Sequence, residues 1–583
     1  MKLSQNFSKT KREVSLDETS KNGQLLIKAG YVYKTMAGVY SYLPLGLKVL
    51  NKIENIVRAN MNQIGAQEVL MSSLSPKENW QKTHRWTEIP EYFVLPSQSK
   101  TDYRLNPTHE EVISPIVSEI VNSYKDLPEY SHNIQTGVST FPLAIYQIQN
   151  KFRDELRAKA GLMRGREFRM KDMYDFHQTR QSQDEYFELI TQTYHKIYAE
   201  MGLKSYAVNA SGGVFSEKFS REFQVLCQAG EDWVFVDGKS GQAFNQEIAP
   251  CLAAEFDYTE EAELEKQDHF LDGVIGVQAL FKELNIPITK TTKTLFYEDK
   301  ENSLVVACVR GDRQVSEEKL QKLYGKSLTL ASAETVKKFT GAEIGYAGLI
   351  NLPKEAIIFM DNSISKLKNF ETGTNKTGYH SSNVCFGRDV QLPENLYDIK
   401  EAIDGDINTE TGNVYEVNKG AEVGNIFDLG QKFVKAFEIS YLDKSGKKQY
   451  PYMGCHGLGT SRCFGVLAEI YSDEKGLKLP ESVAPFKIHI VTCYKESDNQ
   501  EIKEKILKLA DQIYSGEVNQ IKCEEIVVKF AENDVLWDDR VGPSMGEKFK
   551  DADLIGCPYQ VIITARSLET MDGGIEVKKR TMS

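Results

Sequence analysis

Two short stretches hold side chains whose types and spacing suit work on a phosphate-bearing substrate. Residues 146–177, YQIQNKFRDELRAKAGLMRGREFRMKDMYDFH, carry eight basic side chains from Lys151 to Lys171, on two strand-like segments joined by a loop with Gly161 and Gly165. Period-two alternation sets Phe168, Met170, Asp172, Tyr174 and Phe176 on one face of the second segment. A hairpin with that much positive charge suits a polyphosphate or a nucleic-acid end; the plainer reading is a solvated charged face. Residues 452–463, YMGCHGLGTSRC, set three glycines ahead of Arg462 and lead into the apolar run FGVLAEI. Glycines allow close backbone approach, and an arginine in the first turn of the helix that follows adds charge where a helix N-terminus already attracts anions.

Such groups need a scaffold, and the surrounding pattern predicts one. Leu47, Leu50, Ile53, Val57, Met61 and Ile64 recur at helical spacing and Gly65 stops the run, which predicts a helix over 47–64. From about 230 to 403 short apolar strands at 303–309 and 356–360 alternate with helices such as 274–284, as in a compact α/β unit. The arginine, glycine and aromatic texture of the first part returns at 427–467, so one domain is interrupted by another. After Pro480, strands at 487–493, 526–530 and 560–564 alternate with helices at 501–514 and 546–552, which implies a small, largely parallel sheet.

Composition sets the outer bounds. A chain of 583 residues and 66.0 kDa exceeds one hydrophobic core and predicts several domains. Apolar and charged fractions of 41% and 26% are those of an ordinary globular protein. With no apolar run of about 20 residues and a polar start, neither a membrane span nor a secretory signal is expected, and the predicted location is cytoplasmic. Nine scattered cysteines without a C-x-x-C pair make a disulfide framework or structural zinc improbable, and no metal-ligating set is assigned. A net charge of −12 argues against wholesale coating of nucleic acid yet leaves room for a local basic surface.

Together the two stretches resemble motifs 2 and 3 of the class II aminoacyl-tRNA synthetases, and the wording around them resembles the bacterial prolyl-tRNA synthetases. It recurs in GVYSYLPLG (38–46), GAQEVLM (65–71), NPTHEEV (106–112), FRDE (152–155), REF (166–168), FQVL (223–226) and EVG (422–424), across nearly the whole chain. The resemblance implies a mixed α/β, multidomain fold: an antiparallel-sheet catalytic domain in two parts (1–226 and 405–480), an inserted α/β editing domain (227–404) and a C-terminal α/β anticodon-binding domain (481–583). It implies ATP and Mg²⁺ as cofactors, proline and tRNA(Pro) as partners, and a homodimer. Carried over residue by residue, it gives Arg153 the α-phosphate, Glu155 the adenine end, Phe168 the adenine ring and Arg462 the γ-phosphate. Thr108, Glu110, Asp172, Tyr174 and His177 fall where the family builds its proline pocket. Lys293 and His380 match positions of the editing site, Lys293 facing the tRNA end. Trp537, with Arg540, Lys548 and Lys550, is placed to meet the anticodon, although a lone tryptophan is more often core.

Some positions depart from the family pattern. Ser72 stands where motif 1 usually has a proline at the dimer interface. Asn425 and Asp428 replace a usual histidine and glutamine, and Gln431 a threonine, at the floor of the active site. Ile344 and Leu349 replace two prolines of the editing loop, which weakens the expectation of proofreading relative to aminoacylation. Two rivals remain: a class II synthetase for threonine or glycine, the former expected to use zinc, and a regulatory RNA-binding protein that kept the fold and lost ligation.

Overall fold

The computed structural model describes residues 1–88, 92–96, 101–133, 135–156, 158, 160–210, 220–253, 256–494 and 498–580. They form two compact units. One comprises Met1–Ala207, Gly212–Glu231 and Gly420–Ser583; the other comprises Val208–Ser211 and Asp232–Lys419. Of the basic hairpin, Arg157 and Lys159 lie outside the described residues.

The first unit is organised by an antiparallel sheet. Strands Leu143–Phe152 and Glu167–His177 pair in continuous register from Leu143↔Phe176 to Phe152↔Glu167. Glu167–His177 also pairs with Tyr452–Leu458, which pairs in turn with Glu416–Gly430. Ser220–Leu226 extends the sheet beside Glu416–Gly430, Leu226 lying opposite Gly420, and the short strand Gln67–Glu68 runs parallel to Leu143–Phe152. Alternation then divides the side chains. One face, with Tyr146, Met173, Phe223 and Ile426, packs against helices Pro44–Gln63, Arg180–Glu200 and Thr460–Ile470. The other, with Tyr174, Phe176, Met453 and Cys455, is covered in part by helices Glu110–Ile120 and Lys432–Ala436.

Helix Pro44–Gln63 begins three residues before the predicted 47, because Pro44 has its φ set for the first turn and its missing N–H has no partner to lose there. Leu47 consequently faces solvent, while Leu45 and Val49 join Ile53, Val57 and Met61 in the core. Gly65 ends it at φ +79°, and a Cβ there would meet the Phe141 ring at 2.4 Å.

The C-terminal part of this unit holds a four-stranded sheet in the order Val535–Asp538, Ile488–Cys493, Tyr559–Thr564, Glu576–Lys579, the first three parallel and the last antiparallel. The predicted strand at 526–530 is Ile526–Lys529, but it forms a separate antiparallel pair with Gln520–Cys523. Its place in the parallel sheet is taken by Val535–Asp538, whose four residues are all buried.

The second unit centres on a four-stranded sheet, Thr329–Leu330, Thr292–Glu298, Leu304–Arg310 and Ile357–Met360, beside a three-stranded one, Gln267–Phe270, Tyr379–Val384 and Phe370–Gly373. Leu304–Arg310 is buried on both faces and reads as a continuous apolar run, which makes it legible in the sequence. Helices Glu317–Tyr324 and Ala333–Thr340 have serine N-caps and end on glycines in the left-handed conformation. The unit runs on past 404 to Lys419, because Ile407–Asn408 pairs with Cys251–Leu252 and Tyr415 packs on Phe235.

Candidate functional site

In the first unit the open part of the sheet face gathers charged groups that would be costly to bury alone. Asp172 lies opposite Gln147 in the hairpin register. Its carboxylate meets Lys151 Nζ at 2.6 Å, and its Oδ2 accepts from the Tyr174 hydroxyl at 2.9 Å. Burial by itself would raise the Asp172 carboxyl; Lys151 and Tyr174 outweigh it and hold the group below its ordinary value. Burial lowers the Lys151 ammonium, with Asp172 opposing. Lys151 also meets His109 Nδ1 at 2.6 Å, and the His109 backbone N–H donates to the Tyr174 hydroxyl at 3.0 Å, tying the start of helix Glu110–Ile120 to the strand.

Glu110, the first residue of that helix, is fully buried. The Thr108 hydroxyl donates to it at 2.7 Å, the Cys455 thiol at 3.0 Å, and Arg85 Nη1 lies 3.1 Å away. Burial pushes the carboxyl up, but Arg85, Cys455 and Thr108 hold it below its ordinary value, so Glu110 is an anion. Its neighbour Glu111 shares Arg85 at 3.0 Å, accepts from Thr83, and is pushed up to about 7 by burial and by Glu110, against the pull of Arg85. Thr108, Glu110, Asp172 and Tyr174 thus form one network of two carboxylates and two hydroxyls.

Arg153 follows the first hairpin strand, its backbone N–H bonded to Arg166 O at 2.9 Å and its guanidinium 5.1 Å from the centre of the Phe168 ring. Burial lowers its pKa, and Arg462 lowers it further, while Tyr92, Glu422 and Glu110 act the other way. Two guanidinium groups that repel each other on a partly dry surface are stabilised by an anion between them. Arg462 lies in the first turn of helix Thr460–Ile470 and is held by Met163 O and Glu422 O, both at 2.7 Å. Glu155 pairs with Arg164 at 2.9 Å at the start of the loop.

The glycines before this helix serve packing as well as approach. Gly457 lies within strand Tyr452–Leu458, and a Cβ there would come 2.4 Å from Met170 Cε.

His177 is the exception among the expected pocket residues. It has the opposite parity to Asp172 and Tyr174, and its ring meets Asp175 at 3.1 Å and Ser182 at 2.9 Å, packed against the Tyr186 ring. It braces the strand to helix Arg180–Glu200. At the predicted anticodon surface Trp537 is core: its indole N–H donates to Thr492 at 3.3 Å and its ring packs near Tyr514. Arg540 is clamped by Asp538 and Asp551, and Lys548 is buried against carbonyl oxygens of Thr492 and Asp538, whereas Lys550 is exposed. Of the substituted floor positions, Asp428 pairs with Arg180, Asn425 Nδ2 reaches Glu422 at 3.5 Å, and Gln431 donates to Tyr450 O at 2.9 Å.

Arg85, Lys151, His109, Cys455 and Glu422 also belong to this site. Lys151 and Cys455 stand inside the two stretches that stood out in the sequence, the latter opposite Tyr174 in register. Arg85 carried no local signal, since it is joined to the site only by the fold.

In the second unit a cavity of about 320 Å³ is lined by both expected editing residues, Lys293 and His380. Lys293 Nζ donates to Arg313 O at 2.9 Å, and burial lowers its pKa, with Asp312 and Glu401 opposing. His380 Nδ1 meets Glu371 at 2.9 Å. Ile344 lines the cavity; Leu349 is packed in the adjoining core.

Comparison with known proteins bears on both units. A family model described as "tRNA synthetase class II core domain (G, H, P, S and T)" matches residues 138–471, and one described as "Anticodon binding domain" matches 513–583. The chain is 38% identical over 584 residues to a proline–tRNA ligase of Thermoanaerobacter pseudethanolicus, covering 100% of this chain and 96% of that one. It is 37% identical over 582 residues to one of Bacillus cereus, with the same coverage. Among solved structures, the prolyl-tRNA synthetase of Giardia lamblia in complex with prolyl-adenylate superposes with a TM-score of 0.54 at 15% identity, over 95% of this chain and 71% of that one. That of Cryptosporidium parvum with halofuginone and AMPPNP gives 0.53 at 14%, over 98% and 76%. At these identities the structural likeness speaks for the fold.

Proposed function

The chain belongs to the proline–tRNA ligase family of the class II tRNA synthetases, and from that membership we infer that it activates proline with ATP and transfers it to tRNA(Pro). The observation that carries the reading is the convergence of Arg153, Phe168 and Arg462 beside the Thr108, Glu110, Asp172, Tyr174 network, Arg153 stacking near the Phe168 ring and feeling the charges of both Arg462 and Glu110.

Proline brings a secondary ammonium group, a carboxylate and an apolar ring. In this reading Glu110, kept ionised by Arg85, and Asp172, kept ionised by Lys151, attract the ammonium, and Thr108 and Tyr174 orient it. Attack of the proline carboxylate on the α-phosphorus crowds negative charge at the reacting centre. Arg153 stabilises that charge, Arg462 holds the far phosphate, Phe168 stacks on the adenine and Glu155 faces the adenine end. No covalent enzyme intermediate is needed, because fixed donors and correct placement lower the barrier. For Mg²⁺, the buried Asn425 Oδ1, which has no hydrogen-bond partner among the described residues, and the Glu422 carboxylate would supply oxygen ligands of the kind a hard cation takes alongside phosphates. When bound, the ion would neutralise phosphate charge. The expected pyrophosphate exchange into ATP depends on proline and Mg²⁺; its absence, or exchange with another amino acid alone, overturns the assignment.

The rest of the reading follows the same family. With the boundary moved from 404 to Lys419, where the second unit ends, we assign 1–226 and 420–480 to catalysis, 227–419 to editing of alanyl-tRNA at the Lys293–His380 cavity, and 481–583 to the anticodon. A pocket for proline cannot strongly reject alanine by shape, since a missing methylene is worth only about 1–3 kcal/mol, which gives a hydrolytic second site its use. A homodimer is supported by exposed Val69, Leu70 and Leu74 beside the edge strand Gln67–Glu68. Among the described residues no helix is long and apolar enough to cross a membrane, and a synthetase would work in the cytoplasm with its tRNA.

A further inference from the structure

The cavity of the second unit is walled mainly by apolar side chains, among them Leu280, Phe296, Val336 and Ile344. Among its described lining residues Glu371 is the one carboxylic acid. It is 1% exposed. Its Oε1 meets His380 Nδ1 at 2.9 Å, while its Oε2 is buried with no hydrogen-bond partner among the described residues. Burial pushes this carboxyl up and His380 pulls it back.

The other ring nitrogen of His380, Nε2, lies 3.3 Å from Val274 O. A carbonyl oxygen only accepts, so Nε2 carries a hydrogen, and a single proton joins Nδ1 to Oε1. Whether that proton rests on the ring or on the carboxyl, the pair is neutral overall and Oε2 keeps its acceptor lone pairs. Lys293, the cation in the lining, donates to Arg313 O, so among the described residues no donor meets Oε2, and a cationic donor suits a carboxylate best.

We infer that Glu371 Oε2 receives the free α-ammonium group of a small aminoacyl ester, the apolar walls taking its side chain. This rests on the editing reading of the cavity and deepens it by giving Glu371 a substrate-recognition role. A cation entering an apolar cavity without a partner would bear a large desolvation cost, so the same carboxylate discriminates against esters whose nitrogen is acylated and uncharged.

The test uses the full-length protein with alanyl-tRNA(Pro) and N-acetylalanyl-tRNA(Pro), each rate corrected for hydrolysis in buffer. The wild type is expected to prefer the free amine by roughly tenfold or more, as a charge-assisted contact requires. Glu371→Gln is expected to raise KM for alanyl-tRNA by about tenfold to a hundredfold and leave the N-acetyl substrate unchanged, erasing the preference. Hydrogen-exchange protection of strand Thr292–Glu298 shows whether the variant keeps its fold. A folded variant that retains the preference, or that loses both substrates equally, overturns the inference while editing stands. Wild-type protein that hydrolyses both substrates at one rate overturns it without any variant. Failure of the wild type to hydrolyse either overturns the editing reading and this inference together.

Discussion

Replacing Glu111 with glutamine should make the start of helix Glu110–Ile120 more stable at pH 8 than it is in the wild type, and not at pH 5. Arg85 faces two buried carboxylates at 3.1 and 3.0 Å, one guanidinium for two potential anions. Glu110 takes the anionic role, and Glu111 is pushed up to about 7. The folded protein therefore holds a proton that the unfolded chain releases above about 4.5. Folding takes up that proton between these values, so the stability it confers is full below 4.5 and is lost as pH rises through about 7. The gap corresponds to about 3 kcal/mol, at about 1.4 kcal/mol per unit. Glutamine keeps an oxygen for Thr83 and Arg85 and carries no charge, leaving Arg85 matched one to one with Glu110.

Because a chain of two compact units need not unfold in one step, the assay is local: hydrogen exchange in this helix, converted to opening free energies at pH 5 and 8. The difference between variant and wild type should grow by up to about 3 kcal/mol between the two pH values. The same difference at both, or a larger loss in the variant at pH 8, refutes the claim that Glu111 takes up a proton on folding.

Three further outcomes follow from the geometry. Arg153→Lys should cut proline-dependent pyrophosphate exchange by about a hundredfold without unfolding the protein, since a point charge replaces a fork; a loss under threefold refutes the phosphate role. Phe168→Ala should raise KM for ATP about tenfold or more while KM for proline holds, as loss of a stacked base is worth about 1–3 kcal/mol; an unchanged ATP value places the adenine elsewhere. His177→Ala should lower thermal stability through loss of its bonds to Asp175 and Ser182, with KM for proline within about threefold; a tenfold change would return His177 to the pocket.

Local chemistry was legible wherever one strand or helix carried it. Alternation on the second hairpin strand placed Asp172 and Tyr174 together, and the same parity, applied to His177, would have sent it to the helix side. Leu304–Arg310 was readable because both its faces are dry, and helix Pro44–Gln63 was placed correctly except for its start, set three residues late because exposed Leu47 continued the apolar stripe. Arg85 was illegible because its meaning depends on a contact 25 residues away in sequence, with Glu110. Trp537 is core, the commoner place for a lone tryptophan, whereas Lys548 resembled a surface group by type and is buried because Val535–Asp538 enters the parallel sheet, a step the apolar run at 526–530 had obscured.

The register that places Leu226 opposite Gly420 has a consequence for modularity. The chain between those two positions leaves from one rung of the catalytic sheet and comes back to the same rung. To the host, the whole excursion is the turn of a hairpin. Loop-closure entropy grows only logarithmically with length, by about 0.6 kcal/mol per doubling, so an excursion of any size can be added or shortened there at little cost to the strands that hold Arg462 and Asp172. At that junction the ligase can lengthen, shorten or exchange an inserted unit as a cassette.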